Sequence, residues 1–142
     1  MDTKLVKMAI EARGNAYAPY SGFYVGAALL AEDGSVYTGC NIENASFGGT
    51  VCAERCALFK AVSDGKRGFK AIAVAGGKGE VALTPPCGIC RQVLSEHCDP
   101  SMAVLMAKDG EGTYFKTTLG ELLPLGFGAE ALGTKGENHE RS

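Results

Sequence analysis

Residues 71–75 and 102–106 of this chain read Ala-Ile-Ala-Val-Ala and Met-Ala-Val-Leu-Met, two runs without a polar side chain. A strand presents alternate residues to opposite faces, so one that is apolar at every position must be covered on both sides. Helical patterns stand before and between these runs, and the combination predicts an α/β domain whose sheet carries helices on both faces. A chain of 142 residues is long enough for one such domain with a sizeable core and too short for two ordinary ones.

The remaining elements follow from local signals. A first helix is expected to about residue 15, capped by Asp2 or Thr3, with Leu5, Met8, Ala9 and Ala12 on one face. Strands over 23–30 and 36–40 flank a hairpin turn at Glu32-Asp33-Gly34-Ser35. An irregular stretch over 41–50 leads to a helix over about 52–63. Pro85-Pro86 precedes a helix over about 88–97, a strand is expected at 113–116, and a short helix spans 119–123. The polar segment 133–142 is expected to be a disordered tail following a domain over 1–132.

A net charge of −2 with a pI near 5.7 gives no basic face, so nucleic acid is not an expected partner. Lys66, Arg67 and Lys70 read as a solvated loop. No apolar run approaches the ~20 residues of a membrane span, and the first residues lack a secretory pattern. A cytoplasmic protein is therefore expected, and its six cysteines are read in a reducing compartment, where thiols more often ligate metal or do chemistry than pair.

Three of those cysteines carry the chemistry. Cys52-Ala53-Glu54 opens one expected helix, and Pro86-Cys87-Gly88-Ile89-Cys90 leads into another. Helix starts present free N–H groups and partial positive charge, which favour thiolate over thiol. The spacing of Cys87 and Cys90 puts both on one side of their helix. Three thiolates suit Zn²⁺ and leave a fourth tetrahedral position for water, with Glu54 close enough to move that water's protons. A redox dithiol at Cys87 and Cys90 would leave Cys52 and Glu54 without a role. A closed four-cysteine structural site that includes Cys56, in a non-enzymatic zinc module, would leave Glu54 idle. Cys40, Cys56 and Cys98 are expected as small core residues, while His97 and His139 lack ligand spacing and read as surface or tail residues.

A ligand residue, Glu two positions on, then Pro-Cys-x-x-Cys is the zinc deaminase pattern. Around it, Tyr17-Ala18-Pro19-Tyr20-Ser21-x-Phe23-x-Val25-Gly26-Ala27-Ala28-Leu29, Gly39-Cys40-Asn41-Ile42-Glu43-Asn44-Ala45, Cys52-Ala53-Glu54-Arg55 and Pro86-Cys87-Gly88-x-Cys90-Arg91-Gln92-Val93 resemble the small homotetrameric cytidine deaminases over about residues 4–130.

The resemblance implies a three-layer α/β/α sandwich around a mixed five-stranded sheet, one Zn²⁺ per subunit held by Cys52, Cys87 and Cys90, and a homotetramer. It implies hydrolysis of cytidine and 2′-deoxycytidine to the uridines and ammonia by a zinc-activated water, a pyrimidine-salvage reaction. Glu54 would be the proton shuttle and Arg55 would offset the thiolate charge. Asn41 and Glu43 would bind the ribose 3′-hydroxyl, Phe23 would meet the pyrimidine ring, and backbone near Ala53 and Cys87 would read its polar edge. Phe127 would complete a neighbouring subunit's pocket. Many relatives have Tyr where this chain has Phe47, which removes a hydroxyl from any contact made there across an interface. A related deaminase of another aminopyrimidine or a nucleotide is the nearest rival; Asn41 and Glu43 favour an uncharged sugar.

Overall fold

The structure, a computed structural model, describes residues 1–133. The tail expected to be disordered lies, from residue 134 on, outside the described residues. Helix α1 spans Asp2–Ala12 and tightens into a 3₁₀ turn at Arg13–Asn15. Its N-cap is Met1 rather than Asp2 or Thr3, so Asp2 sits inside the first turn, where a carboxylate favours the positive end of the helix. Leu5, Val6 and Ala9 are its buried residues, while Met8 and Ala12 of the expected face are only half-buried.

Strands β1 (Tyr24–Ala31), β2 (Val36–Cys40), β3 (Phe69–Gly77), β4 (Ala103–Ala107) and β5 (Tyr114–Thr118) form one five-stranded sheet in the order β2-β1-β3-β4-β5. Only β3 and β4 run parallel; the other neighbours are antiparallel, so the sheet is mixed. Helix α2 (Ala53–Ser63) joins β2 to β3, helix α3 (Gly88–His97) joins the parallel pair, and α4 (Leu119–Leu122) follows β5. The last helix has a Thr118–Glu121 capping box, a signal present in the sequence. A 3₁₀ turn at Ala129–Leu132, unexpected from the sequence, closes the described chain.

The all-apolar strands divide their residues between two cores. Ala71, Ala73, Ala75 and Leu105 pack against Leu5 and Val6 of α1, whereas Ile72, Val104 and Met106 pack on the opposite face with Leu58 of α2 and Leu94 of α3. Small residues on the first face let α1 approach closely. At Gly26 a Cβ would lie 2.2 Å from the Ala9 carbonyl oxygen, so only glycine admits that approach. Gly39 does the same on the other face, where a Cβ would come within 2.6 Å of the Ala53 oxygen and the Ala57 nitrogen. That contact seats α2, and with it Cys52 and Glu54, against β2. No helix among the described residues is long and apolar enough to cross a membrane.

Candidate active site

Cys52 and Cys87 are the N-cap residues of α2 and α3, both with extended backbone and neither making a side-chain capping bond. Their sulfurs are left free of helix duty and lie 3.7 Å apart. Cys90, on the first turn of α3, completes a group in which all three sulfurs fall within 4.8 Å of one another. Tetrahedral zinc with sulfur at ~2.3 Å places its ligands ~3.8 Å from each other, so the donor set and its spacing fit this metal. Cys56 is not part of the group, and among the described residues no closed four-cysteine site forms. Cys98 is buried as expected, but Cys40 and Cys56 are only half-buried, because β2 is an edge strand and α2 meets it through Gly39. His97 is half-buried on the last turn of α3.

The charges around the sulfurs are arranged for thiolate. Cys52 is pulled down to about 5, chiefly because the Cys90 thiol donates to it, with Arg55 and Cys87 adding to the effect. Cys90 moves the opposite way, since the proton it holds is shared with Cys52 and burial disfavours its charge. Of these two sulfurs, Cys52 is the one its surroundings favour as thiolate. Arg55 donates from Nη2 to the Cys52 sulfur at 3.4 Å and also reaches Cys90; these contacts outweigh burial and keep it firmly charged. Its Nε is buried with no hydrogen-bond partner among the described residues, consistent with a guanidinium committed to the sulfurs. Glu54 is 3% exposed. Burial, reinforced by the Cys52 charge, pushes its carboxyl up to about 7, where it exchanges a proton readily at neutral pH.

Cys52, Cys87 and Glu54 line a cavity of about 270 Å³ together with Phe23, Asn41 and Glu43. Four of the substrate and acid–base residues expected from the sequence therefore converge on one site. Asn41 is 8% exposed and its amide is largely used by the protein. Its Nδ2 donates to the Phe23 carbonyl at 2.8 Å and its Oδ1 accepts from Val25 N–H at 2.9 Å, which fixes the start of β1 and leaves one N–H for a ligand. Glu43 Oε1 accepts from the N–H groups of Tyr20 (2.9 Å) and Ser21 (3.1 Å), and Oε2 accepts from the Ser21 hydroxyl. The Ser21 hydroxyl, more than the N–H donors, holds this carboxyl below its usual range and keeps it charged.

Other expected residues lie elsewhere. Ala53 is fully buried, so only its backbone, in the first turn of α2, is available to a ligand. Phe127 is 60% exposed and does not line the cavity; its carbonyl accepts from Gln92 at 2.8 Å. Phe47 is 74% exposed and meets Tyr20 edge-on at 5.9 Å. The sequence reading gave no role to Ser21, Thr50, Thr84 or Pro85, which also line the cavity. The position of Thr84-Pro85 directly before Pro86-Cys87 was a usable signal. Nor did it give one to Arg91, whose guanidinium holds the Pro86 carbonyl at 2.8 Å and the Leu122 carbonyl at 2.9 Å, bracing the turn before Cys87.

A sequence model of the cytidine and deoxycytidylate deaminase zinc-binding region matches residues 1–106. The chain is similar to a cytidine deaminase of Sporosarcina psychrophila, 53% identical over 135 residues covering 94% of this chain and 96% of the relative. It is also similar to the cytidine deaminase of Mycobacterium tuberculosis strain H37Rv, 45% identical over 125 residues and 87% of each. The crystal structure of a cytidine deaminase from Burkholderia pseudomallei superposes with a TM-score of 0.80 at 48% identity, covering 87% of this chain and 97% of that one.

Proposed function

The chain belongs to the zinc-dependent cytidine and deoxycytidylate deaminase family, and on that premise we propose that it hydrolyses cytidine and 2′-deoxycytidine to uridine and 2′-deoxyuridine with release of ammonia. The observation that carries this reading is the shared cavity. A three-thiol metal site and a buried carboxyl open on the same space as an amide and a charged carboxylate suited to sugar hydroxyls.

Cys52, Cys87 and Cys90 would hold one zinc per subunit, which when bound supplies an acidified water for hydrolysis. Glu54 takes a proton from the water whose oxygen adds to C4 and delivers it to N3. It then carries the second proton to the departing amine, so that the C4–N4 bond breaks with loss of ammonia. Its near-neutral proton affinity suits a group that must both accept and donate. Arg55 offsets the sulfur charge that would otherwise oppose acidification. Phe23 packs on the ring, and backbone at Ala53 and Cys87 reads the pyrimidine's polar edge. The free N–H of Asn41 and the Glu43 carboxylate take the 3′-hydroxyl, and a carboxylate there disfavours a phosphate.

The assembly we propose is a homotetramer in which Phe127 completes a neighbour's pocket. Phe47, Ile89 and Phe127, at 74%, 61% and 60% exposure, are large apolar side chains that a lone subunit leaves in water. Cys40, Cys52, Cys56, Cys87 and Cys90 form no disulfide, which suits a cytoplasmic enzyme, and the reaction belongs to pyrimidine salvage. Incubation with cytidine, deoxycytidine, their 5′-monophosphates and adenosine, followed by absorbance, tests the assignment. The nucleosides should be converted with a far higher kcat/KM than the monophosphates; comparable values would favour a nucleotide deaminase.

A further inference from the structure

Ser21 stands between two groups that face the cavity and ties both to one hydroxyl. Its Oγ accepts from the Phe23 N–H at 3.0 Å and donates to Glu43 Oε2. Ser21 N–H and Tyr20 N–H occupy Glu43 Oε1. Gly22, at φ +67°, makes the sharp turn that lets one residue reach both partners. The Phe23 peptide is thereby clamped from two sides, its N–H by Ser21 and its carbonyl by Asn41. A carboxylate offers about four acceptor sites, and three of those on Glu43 are filled by this turn. About one remains, enough for a single hydroxyl donor. Ser21, Phe23 and Glu43 all line the cavity, so the arrangement is part of the site rather than remote support.

We propose that Ser21 is the positioning residue that sets how the site reads the sugar: its hydroxyl orients the Glu43 carboxylate and leaves it one acceptor for the 3′-hydroxyl, while registering Phe23 beside the ring. The inference rests on the reading that Glu43 faces the sugar. Removing the hydroxyl frees Oε2 and unpins Phe23 without touching the cysteines, Arg55 or Glu54. Binding of the nucleoside suffers while turnover of the bound nucleoside does not.

The test compares cytidine with 3′-deoxycytidine in the zinc-loaded enzyme and in Ser21→Ala, Ser21→Thr and Glu43→Ala. Ser21→Ala should raise KM for cytidine roughly tenfold, the lower end of what a hydrogen bond to a charged group is worth, with kcat within about twofold. Its preference in kcat/KM for cytidine over 3′-deoxycytidine should shrink by a similar factor, and Ser21→Thr, which keeps the hydroxyl, should retain the wild-type preference. An unchanged preference in Ser21→Ala, an equal fall for both substrates carried by kcat, or a Thr variant as impaired as the Ala variant overturns the inference. Glu43→Ala separates the two levels. If it abolishes the preference and Ser21→Ala does not, Ser21 alone is misassigned; if it leaves the preference intact, the sugar reading of Glu43 fails.

Discussion

Replacing Glu54 by Gln should stabilise the metal-free protein, and should do so only at higher pH. The folded carboxyl keeps its proton up to about 7, whereas in the unfolded chain it ionises at its ordinary 4.5. Between those values the folded protein binds more protons, so stability contributed by this group is lost as pH rises through that window. At 1.36 kcal/mol per pH unit the difference amounts to about 3 kcal/mol once both states are ionised, near pH 8, and to less than about 1 kcal/mol near pH 5. Gln has similar size and no charge to bury, so the variant escapes the penalty. For a domain of this size about 3 kcal/mol moves Tm by roughly 10 °C. Thermal unfolding of chelator-treated, reduced wild type and Glu54→Gln at the two pH values measures it. A variant whose Tm differs from wild type by the same amount at both would refute the burial argument, because a packing effect has no reason to depend on pH.

Cys52→Ala, Cys87→Ala and Cys90→Ala should each lose zinc and activity together, while Cys56→Ala keeps both; elemental analysis showing metal lost with Cys56 would contradict the open three-cysteine site. In the metal-free protein the Cys52 thiol ionises at about 5, and Arg55→Gln should raise that midpoint by about one pH unit by deleting a charged hydrogen bond, as read by the ultraviolet absorbance of thiolate. An unmoved midpoint would show that Arg55 does not stabilise the Cys52 thiolate. Gly39→Ala forces a Cβ within 2.6 Å of α2 backbone and should cost about 1–3 kcal/mol, lowering Tm by roughly 3–10 °C. Because α2 carries Cys52 and Glu54, activity at a temperature where the variant is still folded should fall as well.

Much of this site was legible because its chemistry depends on helix starts, and helix starts announce themselves. Cys52 and Cys87 were expected at or just before the first turns of their helices and prove to be the two N-caps. The runs at 71–75 and 102–106 fixed a sheet covered on both faces, since no other arrangement removes both sides of such a strand from water. What the sequence did not disclose were bonds from side chain to backbone across long separations. Asn41, expected to contact substrate, spends most of its amide on Phe23 and Val25, a use that no local pattern marks. Ser21 stood inside a recognised motif, but its link to Glu43 depends on a turn at Gly22 that only the folded chain reveals. Phe127, expected to complete a pocket, lies outside the cavity with its carbonyl accepting from Gln92, a backbone contact that no local pattern marks.

The central claim is that Glu54 moves protons for a hydrolysis at the three-cysteine site without being a ligand itself. Glu54→Gln, purified with its zinc content measured, tests this through the turnover of cytidine. General acid–base catalysis is typically worth ~10²–10⁴-fold, and a carboxyl used at successive steps belongs at or beyond the upper end. The account predicts full metal content, a folded protein and a kcat lower by at least roughly 10⁴-fold. A variant with full metal content that keeps more than about a tenth of wild-type kcat would contradict it, because so small a loss falls below the range of any single general acid–base group.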